Sequence, residues 1–314
     1  SSDNIYLVKN YMTLKQRAAL LLLLEGLASS GLQMITIRQT VPFVGSSVLT
    51  TSIVISCFLG ALALGYYWGG KKEHENYGRT LAVNLVCSIG LFGIGLSYIC
   101  VNLFFTSITD ITQSIGLLHN PLIHLFLFCI LIMSPLVFFL GQTVPLLLNT
   151  SSQEVSKSEA TGNATALSTV GNVLGCLLTS LVMMYYLGVG HSIVINCLIL
   201  AFCLIMVLDW KKDYKAKYLL SVAASFLIIG FFLNVKLSDR LFTVTTPYSN
   251  FSVAEHTDGK RFLINRSSAS FIGENNRKGW PYIELIKTGL FSKDMTDKDI
   301  LVLGAGGFTL SAES

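Results

Sequence analysis

Residues 48–70, VLTTSIVISCFLGALALGYYWGG, contain no Asp, Glu, Lys or Arg. A helix that crosses the hydrocarbon core of a bilayer needs about 20 predominantly apolar residues, and this run supplies them without a break. With the expected span of this run set at 47–68, comparable runs fall at 18–37, 80–105, 121–148, 163–187, 190–209 and 217–235. Seven crossings are therefore expected before residue 235, in an α-helical polytopic membrane bundle. A water-soluble core does not account for so much apolar chain. Hydrophobic residues make up 52% and charged residues 13%, against about 25% charged in an ordinary soluble domain. The partner this composition calls for is a lipid bilayer. A net charge of +4 is too small to argue for nucleic acid.

The runs differ in kind. Residues 121–148 include Pro135 and Pro145, which predict a kinked or tilted helix. The run from Asn163 begins with small and polar residues, so its first half is expected to face other helices. Gly65 and Gly69, Gly171 and Gly175, and the group Gly90, Gly93 and Gly95 give small-residue faces for close packing, the type of face that also serves a homo-oligomer. All seven cysteines lie in apolar runs, with no CxxC pair; neither a disulfide framework nor a metal site is expected. Basic residues cluster in alternate connections: Lys9, Lys15 and Arg17; Lys71, Lys72 and Arg79; Lys157; Lys211, Lys212, Lys215 and Lys217. The intervening connections carry only Arg38. That bias predicts a multi-pass protein of the plasma membrane with a cytoplasmic N-terminus.

Glu25 is a lone carboxylate in the first run. A charge at that depth is costly and faces the bundle interior. It reads either as counter-charge to a cationic substrate in a polar cavity or as a group satisfied by neighbouring helices. For Gln33, Asn84, Gln142, Asn163 and Asn172, interhelical hydrogen bonding is the expected role.

After residue 235 the pattern changes. Residues 236–277 are expected to form a small β-hairpin domain, with alternation at Phe251–Glu255, a turn at Asp258-Gly259 and a return at Arg261–Ile264. Residues 278–314 read as the beginning of a Rossmann-like nucleoside-binding domain. Pro281 suits a first helical turn, and the apolar run Ile300–Leu303 leads into Gly304-Ala305-Gly306-Gly307. Thr309 stands where a dinucleotide fingerprint places its last glycine, so an NAD site is disfavoured and a methyltransferase-type loop preferred. The ribose-binding acid expected about 20 residues further on would fall beyond Ser314, so the chain is expected to be a fragment.

Thr246-Pro247-Tyr248, the hairpin, RFLINRSSAS, WPYIELI and ILVLGAGGFTLS, in that order, resemble the polytopic branch of the spermidine synthase family, the polyamine aminopropyltransferases. The membrane runs LEGLASSGLQMITIRQTVPFVGSSVLTT and FLGQTVPLLL resemble the same branch. The resemblance implies a small β domain followed by a nucleoside-binding domain, with decarboxylated S-adenosylmethionine as co-substrate, no covalently bound cofactor and a small polyamine substrate, an amine such as putrescine that is converted to spermidine. It assigns Gly304, Gly306 and Gly307 to the co-substrate, and Tyr248, Tyr282 and Glu284 to the amine. Ser249 replaces a family Gln, Asn265-Arg266 replaces Asp-Gly, and Ile283 replaces a His, which weakens the amine site.

The chemistry implied is displacement at carbon. An amine nitrogen attacks the methylene beside a sulfonium, the C–S bond breaks, and methylthioadenosine leaves. Because a free alkylamine has a pKa near that of Lys, about 10.4, a carboxylate must take its proton. Two alternatives stand beside this reading: a transport or substrate-handling membrane domain with a vestigial α/β appendage, and a membrane-bound S-adenosylmethionine-dependent methyltransferase.

Overall fold

The computed structural model describes residues 14–71, 77–114, 120–150, 157–208, 215–273 and 279–291. The chain divides into two compact units, Ser1–Ser238 and Asp239–Ser314. The first unit is helical. Helix α1 is Leu14–Val44 and α2 is Val48–Lys71; α3 is Tyr77–Gly90, widening into the π-helical turn Leu91–Gly95. Helix α4 is Tyr98–Ser114. Helix α5 runs through Pro121–Phe128, a π-helical Cys129–Met133 and Ser134–Gly141, and α6 is Thr143–Thr150. Helix α7 is Lys157–Leu177 with its π-helical extension Leu178–Leu187, α8 is Gly188–Val207, and α9 is Lys215–Phe231 continued by Phe232–Lys236 and Leu237–Leu241.

Among the described residues six stretches are long and apolar enough to cross a membrane: Gln16–Val44, Val48–Lys71, Tyr77–Gly95, Pro121–Asn149, Ser158–Val207 and Lys215–Leu241. The fifth has 50 residues, which as a straight helix would measure roughly 75 Å, over twice the hydrocarbon thickness. It folds back instead. Gly188, at φ +79°, adopts a conformation that side-chain-bearing residues avoid, and the chain reverses there. Asn196 Nδ2 comes within 3.9 Å of Met183 Sδ, a pair that a continuous helix would hold about 20 Å apart.

The expected run 80–105 is not one helix. It ends at Gly95, and α4 starts at Tyr98. Ser97 separates them: its hydroxyl donates to Ile94 O at 2.6 Å and accepts the Cys100 amide at 3.3 Å, as an N-terminal cap does. Helix α4 then packs against the ends of α1, α3 and α9 and the start of α5. The expected irregularity of 121–148 is present. The π-helical turn lies directly ahead of Ser134-Pro135, where proline removes a backbone donor.

Helix α1 lies at the centre, packed against α2, α7 and α8. Its seam with α7 is backbone against backbone: a Cβ at Gly171 or Gly175 would collide with the carbonyl oxygens of Leu23 and Leu27. The two contacts advance together along both chains, so α1 and α7 run parallel. The core includes Leu32, Ile35, Leu85, Phe92, Phe128 and Leu136, all fully buried. Two bands of exposed aromatics mark the ends of the bundle. Tyr67 and Trp68 close α2, with Tyr218 opening α9, while Tyr185 and Tyr186 close α7. Such bands sit at membrane–water interfaces.

The second unit holds a four-stranded antiparallel sheet in the order β1 (Val244–Thr245), β2 (Asn250–His256), β3 (Gly259–Ile264), β4 (Ser267–Gly273), followed by α10 (Pro281–Phe291). The hairpin between β2 and β3 is present, but its turn is Thr257-Asp258 and not the expected Asp258-Gly259, because His256 pairs with Gly259 and the glycine becomes the first residue of β3. A second tight turn, Asn265-Arg266, has both residues at positive φ, 52° and 68°, the geometry that matches strand twist in two-residue hairpins. Phe251 and Phe262 stack across the strands at 5.8 Å. The expected nucleoside-loop residues Gly304, Gly306 and Gly307 lie outside the described residues.

Candidate functional site

The polar residues of α1 recur at helical spacing: Glu25, Ser29, Ser30, Thr36, Arg38, Gln39 and Thr40, all buried. Some are satisfied within the helix. Thr36 donates to Leu32 O and Thr40 to Thr36 O, each at 2.9 Å. Others reach across. Ser30 donates to Asn172 Oδ1 of α7 at 3.0 Å, and Gln39 Nε2 donates to Leu96 O at 3.1 Å.

Glu25 differs from these. It is 3% exposed, and among the described residues no basic side chain forms an ion pair with it. The Tyr66 phenol of α2 and the Cys203 thiol of α8 lie within electrostatic reach of it, and Tyr66 also meets Ser168 of α7. One turn further along α1, the buried Ser29 hydroxyl has no hydrogen-bond partner among the described residues. Beyond that, Thr179 and Asn196 converge on Gly31, where a Cβ would stand 2.8 Å from Thr179 Oγ1 and 2.5 Å from Asn196 Oδ1. Asn196 Oδ1 also lacks a partner among the described residues. A buried, unsatisfied polar atom costs about 1–3 kcal/mol. The seam between α1, α7 and α8 thus holds a carboxyl group and two unmet hydrogen-bonding atoms, a row able to take a proton or a cation.

The other intramembrane amides tie helices together. Asn84 Nδ2 donates to Gln142 Oε1 at 3.2 Å, joining α3 to the α5–α6 junction. Asn234 Nδ2 donates to Gly93 O at 2.6 Å and to Gly230 O at 2.8 Å, joining α9 to α3. Asn163, expected to face another helix, is exposed.

In the second unit the three residues assigned to an amine by resemblance are not drawn together by hydrogen bonds among the described residues. Tyr248 is 80% exposed in the Thr246–Ser249 turn, where its amide donates to Thr246 Oγ1 at 3.3 Å. Tyr282 is exposed on α10. Glu284 accepts the Gly279 amide at 3.1 Å, which satisfies a donor ahead of the helix in the manner of an N-terminal cap. Asp258 accepts from Arg261 Nη2 at 2.8 Å, and that guanidinium holds the carboxyl below its usual value. No group of three or more His, Cys, Asp or Glu able to hold a metal occurs among the described residues.

Sequence reasoning singled out Glu25 as the lone carboxylate of an apolar run. It did not single out Ser29, Ser30, Thr179 or Asn196, because small polar residues are common in membrane helices and only the packing of α1 on α7 and α8 brings them to one seam. Comparison of the chain with protein-family models, with curated proteins and with solved structures finds no match to any of them.

Proposed function

We propose that this is a multi-pass membrane protein of the aminopropyltransferase type, moving an aminopropyl group from decarboxylated S-adenosylmethionine to a small amine. The observation that carries the reading is the order of parts in the second unit. An antiparallel meander is followed at once by a helix opened at Trp280-Pro281 and capped by Glu284, and the apolar strand-like run and Gly304-Ala305-Gly306-Gly307 come next in the sequence. This is the order that the resemblance implies. The fold-back at Gly188 supports seven crossings from the six apolar stretches. Read with the Lys and Arg bias, seven crossings favour a cytoplasmic N-terminus, with residues beyond 241 on the opposite face.

The test is direct. The full-length protein in lipid nanodiscs, given decarboxylated S-adenosylmethionine and a panel of mono- and diamines, is expected to release methylthioadenosine together with an aminopropylated amine. Absence of product with every amine overturns the reading.

A second reading, a transport or substrate-handling bundle, is favoured by the Glu25 seam. The opposite-face placement of the second unit supports it too, since a sulfonium donor made in the cytoplasm does not reach that face unaided. In proteoliposomes this reading expects amine uptake that Glu25→Gln reduces at least tenfold; uptake that Glu25→Gln leaves unchanged removes it.

A further inference from the structure

At the end of the bundle where α1 stops, a cavity of about 260 Å3 opens between α1, α4 and α5. Phe43 of α1 and Phe105 of α4 form one wall, stacked at 4.8 Å with 8° between the ring planes. Phe105 is held in turn against Phe104, edge to face, and against Phe128. The wall is thus rigid before any ligand arrives, which lowers the ordering cost of binding. The opposite side is polar: Thr106, Thr109 and Asp110 come from α4, and His124 from the first turn of α5. His124 is 2% exposed and its Nε2 lies 3.5 Å from Thr112 Oγ1.

Two features set the ligand's charge and a third sets its size. Asp110, which is exposed, is the acidic residue of the lining. Among the described residues no Lys or Arg lines the cavity; Arg38 is buried near Tyr98, whose ring lies 6.2 Å from that of Phe43. Phe105 is buried in the stack, so the ring that can offer a face is the partly exposed Phe43; an aromatic face attracts an ammonium group by about 0.5–2 kcal/mol. The volume lies just below the roughly 300–1,000 Å3 of pockets for drug-sized ligands, which suits a small guest. One carboxylate matches one positive charge, so a diamine would leave its second charge unmatched.

We propose that this cavity binds a small, singly charged organic ammonium ion, with its nitrogen between Asp110 and the Phe43–Phe105 wall and any N–H or O–H groups on Thr106 and Thr109. The site is separate from the second unit and does not depend on the transfer reading.

The test uses the purified full chain in nanodiscs, titrated calorimetrically with tetramethylammonium, propylammonium, putrescine and neutral tert-butanol as probes. Both monocations are expected to bind with at least tenfold lower Kd than tert-butanol and no more weakly than putrescine. Asp110→Asn, an exposed change, is expected to leave the melting temperature of the ligand-free protein unaltered and to weaken both monocations at least tenfold. Thr109→Val is expected to weaken propylammonium severalfold and tetramethylammonium, which has no N–H, not at all. Equal binding of tert-butanol, indifference to Asp110→Asn, or a putrescine Kd tenfold below that of propylammonium would each overturn the proposal.

Discussion

In the helical unit, Glu25, Asn84, Gln142 and Asn196 are buried, while Leu59, Leu131, Leu181 and Ile228 face outward. In the sheet unit the charged residues are outside. Glu255 and Lys260, paired across β2 and β3, form an exposed ion pair at 3.0 Å, and the buried described residues include Phe242 and Ile283. The first unit buries a carboxyl group and several amides; in the second none of the described charged residues is buried, although Asn250 and Ser270 are. Their means of cohesion differ accordingly. Apolar surface gains nothing by leaving lipid for another helix, so the bundle relies on close backbone approach and interhelical hydrogen bonds. The sheet relies on its backbone ladder, with cross-strand pairs such as Phe251–Phe262 adding about 0.2–1 kcal/mol each.

The sharpest way to break this comparison is at the α1–α7 seam. Gly171→Leu forces a side chain into the Leu23 carbonyl and is expected to cost about 3 kcal/mol or more, seen as loss of the monodisperse peak in size-exclusion chromatography. Gly162→Leu on the same helix, where a Cβ meets nothing within 4 Å, is expected to leave that peak intact. If both behave alike, the seam does not hold the bundle.

A double-mutant cycle of Asn84→Leu and Gln142→Leu sharpens the second element. The expected coupling is about 0.6 kcal/mol and at most about 1.7, measured by unfolding in mixed micelles. A coupling near zero would mean that the 3.2 Å contact does not join α3 to the α5–α6 junction.

The smallest effect belongs to the sheet. Arg261 lowers the Asp258 carboxyl from its ordinary value of 3.8. A group depressed in the folded state adds stability that is complete well above the unfolded value and lost as pH falls through the folded one. Asp258→Asn is therefore expected to flatten a slight fall in sheet melting temperature below about pH 4, and 1 M salt to shrink it in the parent protein, since exposed charges are screened.

Much of the fold was legible because membrane crossing is a demand on length and composition. Helix α2 appears at Val48–Lys71, against an expectation of 47–68. The β2–β3 turn falls at Thr257-Asp258, one residue before the expected Asp258-Gly259, and Gly259, at a φ of +141° that few other residues tolerate, opens β3. The division at Ser97 was hidden, since the apolar run continues past it and a serine shows itself as a cap only when the Cys100 amide meets it. Glu284 was legible as a residue of the α10 helix but not as the acceptor for Gly279, which depends on how the chain enters that helix.

What the linear chain determined by itself is which segments lie in lipid and which do not, because transfer free energy is summed residue by residue along a helix. What only the tertiary structure decided is which side chains share a seam or a cavity. Glu25 with Tyr66 and Cys203, and Asp110 with Phe43 and His124, are neighbours through the crossing and register of separate helices, and packing at that scale depends on where backbones can touch, not on any local pattern.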